Sequence, residues 1–277
     1  MSVINVQSLT RDYGSGKGIF GVSLSVNEGE VFGFLGPNGA GKTTTIRHLM
    51  GFIKPHSGSC QINGMDCLKY RDEIQKTLGY IPGEISFFDD MTGKEFLKFI
   101  SDYRGLDKDN RMHEMLERFE LDPKGKIKKM SKGMKQKLGI AAAFMHDPNI
   151  LILDEPTSGL DPLMQNRFVE LIAEEKKKGK TILLSSHIFE EVERTCDRIG
   201  IIRNGKIVTS DSVETLRKRH MRTYTVHLDT PQTAQAFAKD FGGICNGENV
   251  TVSAKQTLEE IFMDYYGGEQ NVKSDLI

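Results

Sequence analysis

The sequence has no run of about 18 consecutive apolar residues, so nothing in it is expected to span a bilayer. Its opening residues, MSVINVQSLTRDYG, lack a basic region followed by an apolar run, so no signal peptide is expected. Cysteine is scarce. Cys60, Cys67, Cys196 and Cys245 form no CxxC pair, and their scatter fits neither a zinc-ligand pattern nor a disulfide scaffold. Free thiols in a reducing cytoplasm are the simpler reading. Charge of one sign is also missing. Lysine and arginine number 37 against 38 for aspartate and glutamate, which argues against a bulk nucleic-acid coat or a polybasic membrane binder. No internal repeat or low-complexity segment is visible. What remains is 38% apolar and 27% charged over 277 residues, which suits a globular chain of one large domain, or one plus a small appendage.

Strand and helix patterns alternate along most of that length. Val22, Leu24 and Val26 alternate with polar residues, as in a half-buried strand, and residues 3–35 are β-rich. Val31–Leu35 is a continuous apolar run, as in a strand covered on both faces. A glycine-rich turn and a helix from near Lys42 to near Gly51 follow. Residues 84 to about 147 read as helical. Phe96, Phe99, Ile100 and Tyr103 recur at helical spacing, as do Met112, Met115, Leu116 and Phe119, and both stripes are expected to face a core. Residues 150–153 and 181–186 read as buried strands. Asp161-Pro162 reads as an N-cap with proline at N1, opening a helix to about Lys178. Lys176, Lys177 and Lys178 are then a solvated helix end. Asn204-Gly205 marks a hairpin. The composition shifts near residue 211, and the basic run Arg217, Lys218, Arg219, His220, Arg222 reads as a boundary. Beyond it, strands at 223–228 and 249–253 and helices at 233–241 and 257–266 form a small α+β appendage.

The segment Gly36-Pro37-Asn38-Gly39-Ala40-Gly41-Lys42-Thr43 fits GxxxxGK[ST], with Thr44 following. It lies between a buried strand and a helix, the context that a phosphate-binding loop requires. Glycines let successive amides converge on phosphate oxygens, and the helix N-terminus adds a positive dipole end. Lys42 suits the β/γ-phosphates, and the Thr43 hydroxyl suits Mg²⁺. By contrast, the GxGxxG match at residues 16–21 leads into a strand, so it reads as a hairpin loop and not a dinucleotide site.

The segment ILILDEP at 150–156 sets Asp154 and Glu155 at the end of a buried strand, the edge at which parallel sheets bind ligands. Asp154 suits Mg²⁺. Glu155, one residue on, points elsewhere and can accept a proton from an attacking water. The phosphate loop, Ser131-Lys132-Gly133-Met134-Lys135-Gln136, ILILDEP, Ser158-Gly159-Leu160-Asp161 and His187 follow one another in an order that resembles the ATP-binding cassette (ABC) ATPases over residues 1 to about 210.

The resemblance implies an α/β fold: a P-loop NTPase core sheet, an N-terminal antiparallel β subdomain, and an inserted helical subdomain at about 84–147. The cassette would occupy 1–212 and the accessory domain 213–277. It also implies ATP and Mg²⁺ as cofactors, and a head-to-tail pair of cassettes, homodimeric or heterodimeric. In such a pair Ser131 and the Gly133 amide face the γ-phosphate held by the partner. Asp161 lies at the dimer interface. His187 bonds the γ-phosphate and positions water and Glu155, and Tyr13 stacks on adenine. The KQK after the signature resembles bacterial multidrug and antimicrobial-peptide exporters. The chain is then an ATPase on the cytoplasmic face of the membrane, powering export through a separate transmembrane permease, with no nucleic-acid partner.

Two departures stand out. Lys132 replaces a signature glycine. Gly83 occupies the place of the family's usual glutamine, with Glu84 beside it as a candidate water-mediated Mg²⁺ ligand. Phe87 and Phe88 follow, either as core or as the contact for a cytoplasmic helix of the permease. Seven lysines between Lys124 and Lys137 read as a solvated face. The rival readings are a soluble non-transport cassette ATPase, an importer ATPase, and a regulatory nucleotide-binding module. The segment between Lys42 and Ser131 is too short for the coiled coil of chromosome-type members. Intact Glu155 and His187 argue against the regulatory module.

Overall fold

The computed structural model describes residues 1–106, 111–219 and 221–267. The chain divides into two compact units, Met1–Ser210 and Asp211–Ile277.

Two sheets build the first unit. β1 (Ser2–Asp12) pairs antiparallel with β2 (Gly18–Asn27) and with β4 (Ser57–Ile62), and β5 (Met65–Asp66) completes the order β2-β1-β4-β5. The glycine-rich residues 16–21 thus lie at a hairpin, as their lead into a strand predicts. The larger sheet contains β3 (Val31–Leu35), β6 (Leu78–Ile81), β7 (Ile150–Asp154), β8 (Thr181–Ser186), β9 (Arg198–Arg203) and β10 (Lys206–Ser212), in the order β10-β9-β3-β8-β7-β6. From β9 to β6 the pairings are parallel. Asn204 and Gly205, at φ 48° and 73°, make the tight turn between β9 and β10. Every residue of β3, β7 and β8 is buried, which is why these strands read as unbroken apolar runs. Ile4, Val22 and Val26 of the small sheet share one core with Phe32, Phe34, Ile46, Ile152 and Leu183.

Four helices flank these sheets: α1 (Lys42–Leu49), α2 (Arg71–Thr77), α6 (Pro162–Lys177) and α7 (Phe189–Thr195). α7 packs so tightly on β3 that a Cβ at Gly33 would stand 2.7 Å from Val192 Cγ1. α6 begins as its sequence requires: Asp161 accepts from the Met164 amide at 3.0 Å, and Pro162 takes N1. Its C-terminal end differs from expectation. Lys176 pairs with Asp197 at 2.6 Å and Lys178 with Glu175 at 2.9 Å, so two of the three lysines are engaged and only half exposed.

Between β6 and β7 lie α3 (Gly93–Arg104), α4 (Met112–Arg118), a one-turn helix at Ile127–Lys129, and α5 (Lys132–Phe144). Thr92 caps α3. Its Oγ1 accepts from the Glu95 amide while the Glu95 carboxylate accepts from the Thr92 amide. Thr92→Ala removes that reciprocal pair and is expected to cost about 1 kcal/mol in urea unfolding. The stripe on α4 is core as expected, with Met115 and Phe119 fully buried. The stripe on α3 is not. The buried apolar residue of α3 is Leu97, outside that stripe, while Phe99 is 42% and Tyr103 77% exposed. Phe87 packs edge-on to Phe96 at 5.0 Å, and Phe88 to Phe99 at 5.7 Å. Phe96, Ile100 and Tyr103 of the stripe instead wall an open groove of about 290 Å³ with Met50, Phe52, Tyr80 and Phe87.

The second unit has an antiparallel sheet in the order β11-β13-β12, from β11 (Met221–His227), β12 (Ile244–Asn246) and β13 (Asn249–Lys255). α8 (Val213–Arg219), α9 (Pro231–Phe241) and α10 (Leu258–Gly267) accompany it. Within the basic run, Arg217 and Lys218 lie in α8, where Lys218 pairs with Glu214 at 2.6 Å. His220 lies outside the described residues.

Candidate active site

β3, β8 and β7 lie side by side, and their C-terminal ends deliver Lys42, His187 and Glu155 to one place. After Leu35 the chain turns through Gly36, where a Cβ would stand 2.6 Å from the Ile202 carbonyl oxygen. Pro37, Asn38 and Gly39 are exposed, and Ala40 is buried, its amide bonded to Pro37 O at 3.2 Å. Gly39 and Gly41 are left-handed, at φ 79° and 115°. Gly41 caps α1 with no side chain, so no side chain occupies the first amides of that helix. Lys42 is 5% exposed. Its ammonium donates to Gly36 O at 2.6 Å and Pro37 O at 3.3 Å, and pairs with Glu155 Oε1 at 3.1 Å. Thr43 and Thr44 are half-buried, and Thr44 O accepts from His48 Nδ1 at 2.7 Å.

The acidic pair behaves as two different groups. Asp154 is fully buried. The β7–β8 register sets Ser185 beside it, and the Ser185 hydroxyl donates to Asp154 Oδ1 at 2.5 Å. Asp154 Oδ2 is buried with no partner. Glu155 sits at φ 49°, a conformation strained for a non-glycine residue. Its amide is held by Ser185 O at 3.2 Å and Ser185 Oγ at 3.1 Å. That turn throws its carboxylate away from Asp154 and onto Lys42 and His187, whose Nδ1 lies 2.5 Å from Glu155 Oε2. His187 itself is exposed. Gly83 borders this place too. A Cβ there would lie 3.0 Å from Asp154 Oδ2 and 3.8 Å from Thr43 Oγ1.

The other predicted residues lie apart from Lys42. Ser131 caps α5, accepting from the Met134 amide at 3.2 Å. Gly133 is pressed on the next motif, since a Cβ there would stand 2.7 Å from Gly159 O, and Lys132 donates to Ser158 Oγ at 2.9 Å. Asp161 is spent on capping α6. Among the described residues, none of these bonds to the phosphate loop. Tyr13 is half-exposed, with the Arg11 guanidinium over its ring at 5.3 Å. Glu84 is exposed, and the structure gives it no contact with Thr43 or Asp154; the residue that borders both is Gly83.

The family described as ABC transporter matches residues 19–158. The bacitracin transport ATP-binding protein of Bacillus licheniformis is 42% identical over 238 residues, covering 84% of this chain and 77% of that protein. The chain belongs to the ABC transporter ATP-binding family. The linearmycin resistance ATP-binding protein of Bacillus subtilis is 34% identical, covering 90% of this chain and 82% of that one. A solved ATP-binding subunit of an ABC transporter superposes with a TM-score of 0.72 at 33% identity, covering 78% of this chain and 92% of its own. A dimeric bacterial cassette, at 23% identity and a TM-score of 0.68 over 76% of this chain and 98% of its own, shares the fold. The cassette therefore binds ATP and is an ATPase subunit of an ABC transporter.

Sequence reasoning missed three residues of this cassette's site. Ser185 fixes both acidic residues, and Ser186 and Glu191 bond behind His187 at 2.7 Å. The paired serines before His187 were the available signal, but only the strand register shows which one reaches Asp154.

Proposed function

We propose that this cassette hydrolyses MgATP as one half of a head-to-tail pair, and that a separate transmembrane permease at the cytoplasmic face uses the closing and opening for export. The observation that carries the reading is Glu155, held between Lys42 and His187 and turned away from its neighbour Asp154. There it accepts the proton of a water whose oxygen attacks the γ-phosphorus, while the bond to the ADP oxygen breaks and ADP leaves with the electron pair. His187 orients the Glu155 carboxylate. Lys42 exchanges the Gly36 and Pro37 carbonyls for phosphate oxygens, a favourable trade for an ammonium. Ser131 and the Gly133 amide serve the partner's nucleotide, Asp161 the interface, and Tyr13 the adenine.

The residues present also fit a divalent cation: Asp154 Oδ2 is buried without a partner, and Gly83 leaves the space between it and Thr43 Oγ1 open. Thr43 and Asp154 would hold Mg²⁺, which would offset charge on the phosphates. Gly83→Ala pushes a methyl to 3.0 Å from Asp154 Oδ2. It is expected to raise the Mg²⁺ concentration for half-maximal turnover several-fold, read from a Mg²⁺ titration of phosphate release.

The aromatic groove of Phe52, Phe87, Phe96 and Tyr103, with exposed Phe88 and Phe99 on the same segment and helix, supports docking of a permease segment. Bacitracin transport and linearmycin resistance, the roles named for two relatives, support export. The test is phosphate release by the purified chain with light scattering in MgATP. A pair that forms with ATP, and turnover per chain that rises with protein concentration, support the reading. Turnover by a species that stays monomeric at every concentration overturns the paired mechanism.

A further inference from the structure

The most unusual carboxylate in the first unit is not in the acidic pair. Glu191 lies on the first turn of α7, four residues after His187, and is 5% exposed. One of its oxygens, Oε2, accepts from Ser186 Oγ at 2.7 Å and from Thr157 Oγ1 at 3.3 Å. Ser186 immediately precedes His187, and its oxygen also accepts from the Ile188 amide at 3.0 Å, closing the turn that carries the histidine. Thr157 immediately precedes Ser158-Gly159-Leu160-Asp161. A single carboxyl oxygen therefore joins two turns that leave different strands, β7 and β8. The other oxygen, Oε1, is buried with no partner, and Glu191 helps line a cavity of about 120 Å³ with Thr157, Pro162, Asn166 and Ile188 among others. On the same helix, Val192 sits against Gly33 of β3, so closely that a Cβ there would stand 2.7 Å from Val192 Cγ1.

We propose that Glu191 is a positioning residue for ATP hydrolysis, a buried clasp that holds the His187 turn and the Asp161 turn in one fixed relation. The proposal rests on the reading above, in which His187 serves the cassette's own nucleotide and Asp161 the interface. It adds a link between them inside one chain. The clasp makes that relation independent of the nucleotide, so the histidine is aimed before ATP arrives.

Its charge state fits the role. Burial pushes the Glu191 carboxyl up to about 7, the Ser186 and Thr157 hydroxyls and His187 pull the other way, and Glu155 adds to the rise. The groups that face it are Glu155 and His187 from the two turns and Glu190 and Arg194 from α7. α6 contributes only the neutral Gln165 and Asn166. Below about pH 7 the clasp is therefore a neutral acid, which glutamine reproduces in shape, acceptor and charge. Above it, wild type carries a second negative charge near Glu155, and glutamine does not.

The experiment measures kcat and KM for MgATP between pH 6 and 8.5 in wild type, Glu191→Ala, Glu191→Gln and Thr157→Val. Glu155→Gln is the control for the underlying reading. If wild type turns over and Glu155→Gln does not, that reading stands and the other variants judge the clasp. Expected are a kcat at least tenfold lower in Glu191→Ala with KM within threefold, and recovery of most of that loss by Glu191→Gln. The ratio of Glu191→Gln to wild-type kcat should rise as pH passes about 7. Thr157→Val should be partly impaired, and combining it with Glu191→Ala should add nothing further. A Glu191→Ala kcat within twofold of wild type overturns the proposal. So does an equal loss in the alanine and glutamine variants across the pH range. Should Glu191→Ala fail to fold by circular dichroism, Thr157→Val decides: a kcat within twofold of wild type overturns the clasp.

Discussion

Glu155→Gln is expected to lower ATP turnover at least 100-fold while ATP remains bound. The carboxylate touches Lys42 at 3.1 Å and His187 at 2.5 Å, so a glutamine of equal size keeps the shape of the turn and loses the proton acceptor. It also removes a negative charge close to where the γ-phosphate must sit. Affinity for ATP is therefore expected to hold or rise, and size exclusion in MgATP should show a persistent pair. Phosphate release above a tenth of the wild-type rate would place the proton acceptor elsewhere. Loss of ATP binding together with turnover would instead mark Glu155 as a structural partner of Lys42.

Breaking the buried ion cluster at Glu175 is expected to have the largest effect on stability. Glu175 has no exposed surface, yet it receives Arg111 at 2.9 Å, Lys178 at 2.9 Å and Lys180 at 2.6 Å. Arg111 also meets Asp147 at 2.8 Å and Glu114 at 2.7 Å, which joins the start of α4 to α6 and β8. Burial alone would raise the Glu175 pKa, but the hydrogen bonds from Arg111, Lys180 and Lys178 outweigh it and hold the group below its ordinary 4.5. Glu175→Ala removes the anion and strands the cations, at an expected cost of about 3–5 kcal/mol. For a unit of this size that lowers Tm by roughly 10 °C. The sign of the pH effect follows from the depressed pKa. The contribution is present above pH 4.5 and is lost as acid protonates the folded carboxylate, so the gap between variant and wild type narrows as pH falls from 4.5 through the lowered folded pKa. Calorimetry at pH 7 and pH 4 measures it. A Tm within 2 °C of wild type at pH 7 would show that the cations find other partners at no cost.

What the sequence made legible was local. The phosphate loop, the Asp161-Pro162 start and the Asn204-Gly205 turn each depend on residues a few positions apart, and each lies where its residues require. The fold class followed from buried strands alternating with helices. What stayed hidden depends on neighbours distant in sequence. Helical spacing marked Ile100 and Tyr103 as apolar on one side, but an open groove and a core impose the same period. Lys176 looked solvated because Asp197 comes twenty-one residues later. Ser185 gained its task only from the register that sets it beside Asp154, and Glu191 from the packing that turns a helix-start glutamate inward.

The position of β3 in the large sheet also fixes an order of events during synthesis. β3 carries the phosphate loop, yet its two neighbours are β8 and β9, which are made about 150 residues later. Until residues near 186 have emerged, β3 has two open edges and Lys42 lacks the Glu155–His187 pair, and until residues near 201 have emerged one edge of β3 stays open. A nascent chain thus holds the complete phosphate motif long before it holds a place for phosphate. Pairing across such a separation is slow, because loop closure must precede any gain from contact. Nucleotide capture by ribosome-bound chains of increasing length should therefore begin abruptly near the length that completes β9, and so time the closing of the sheet.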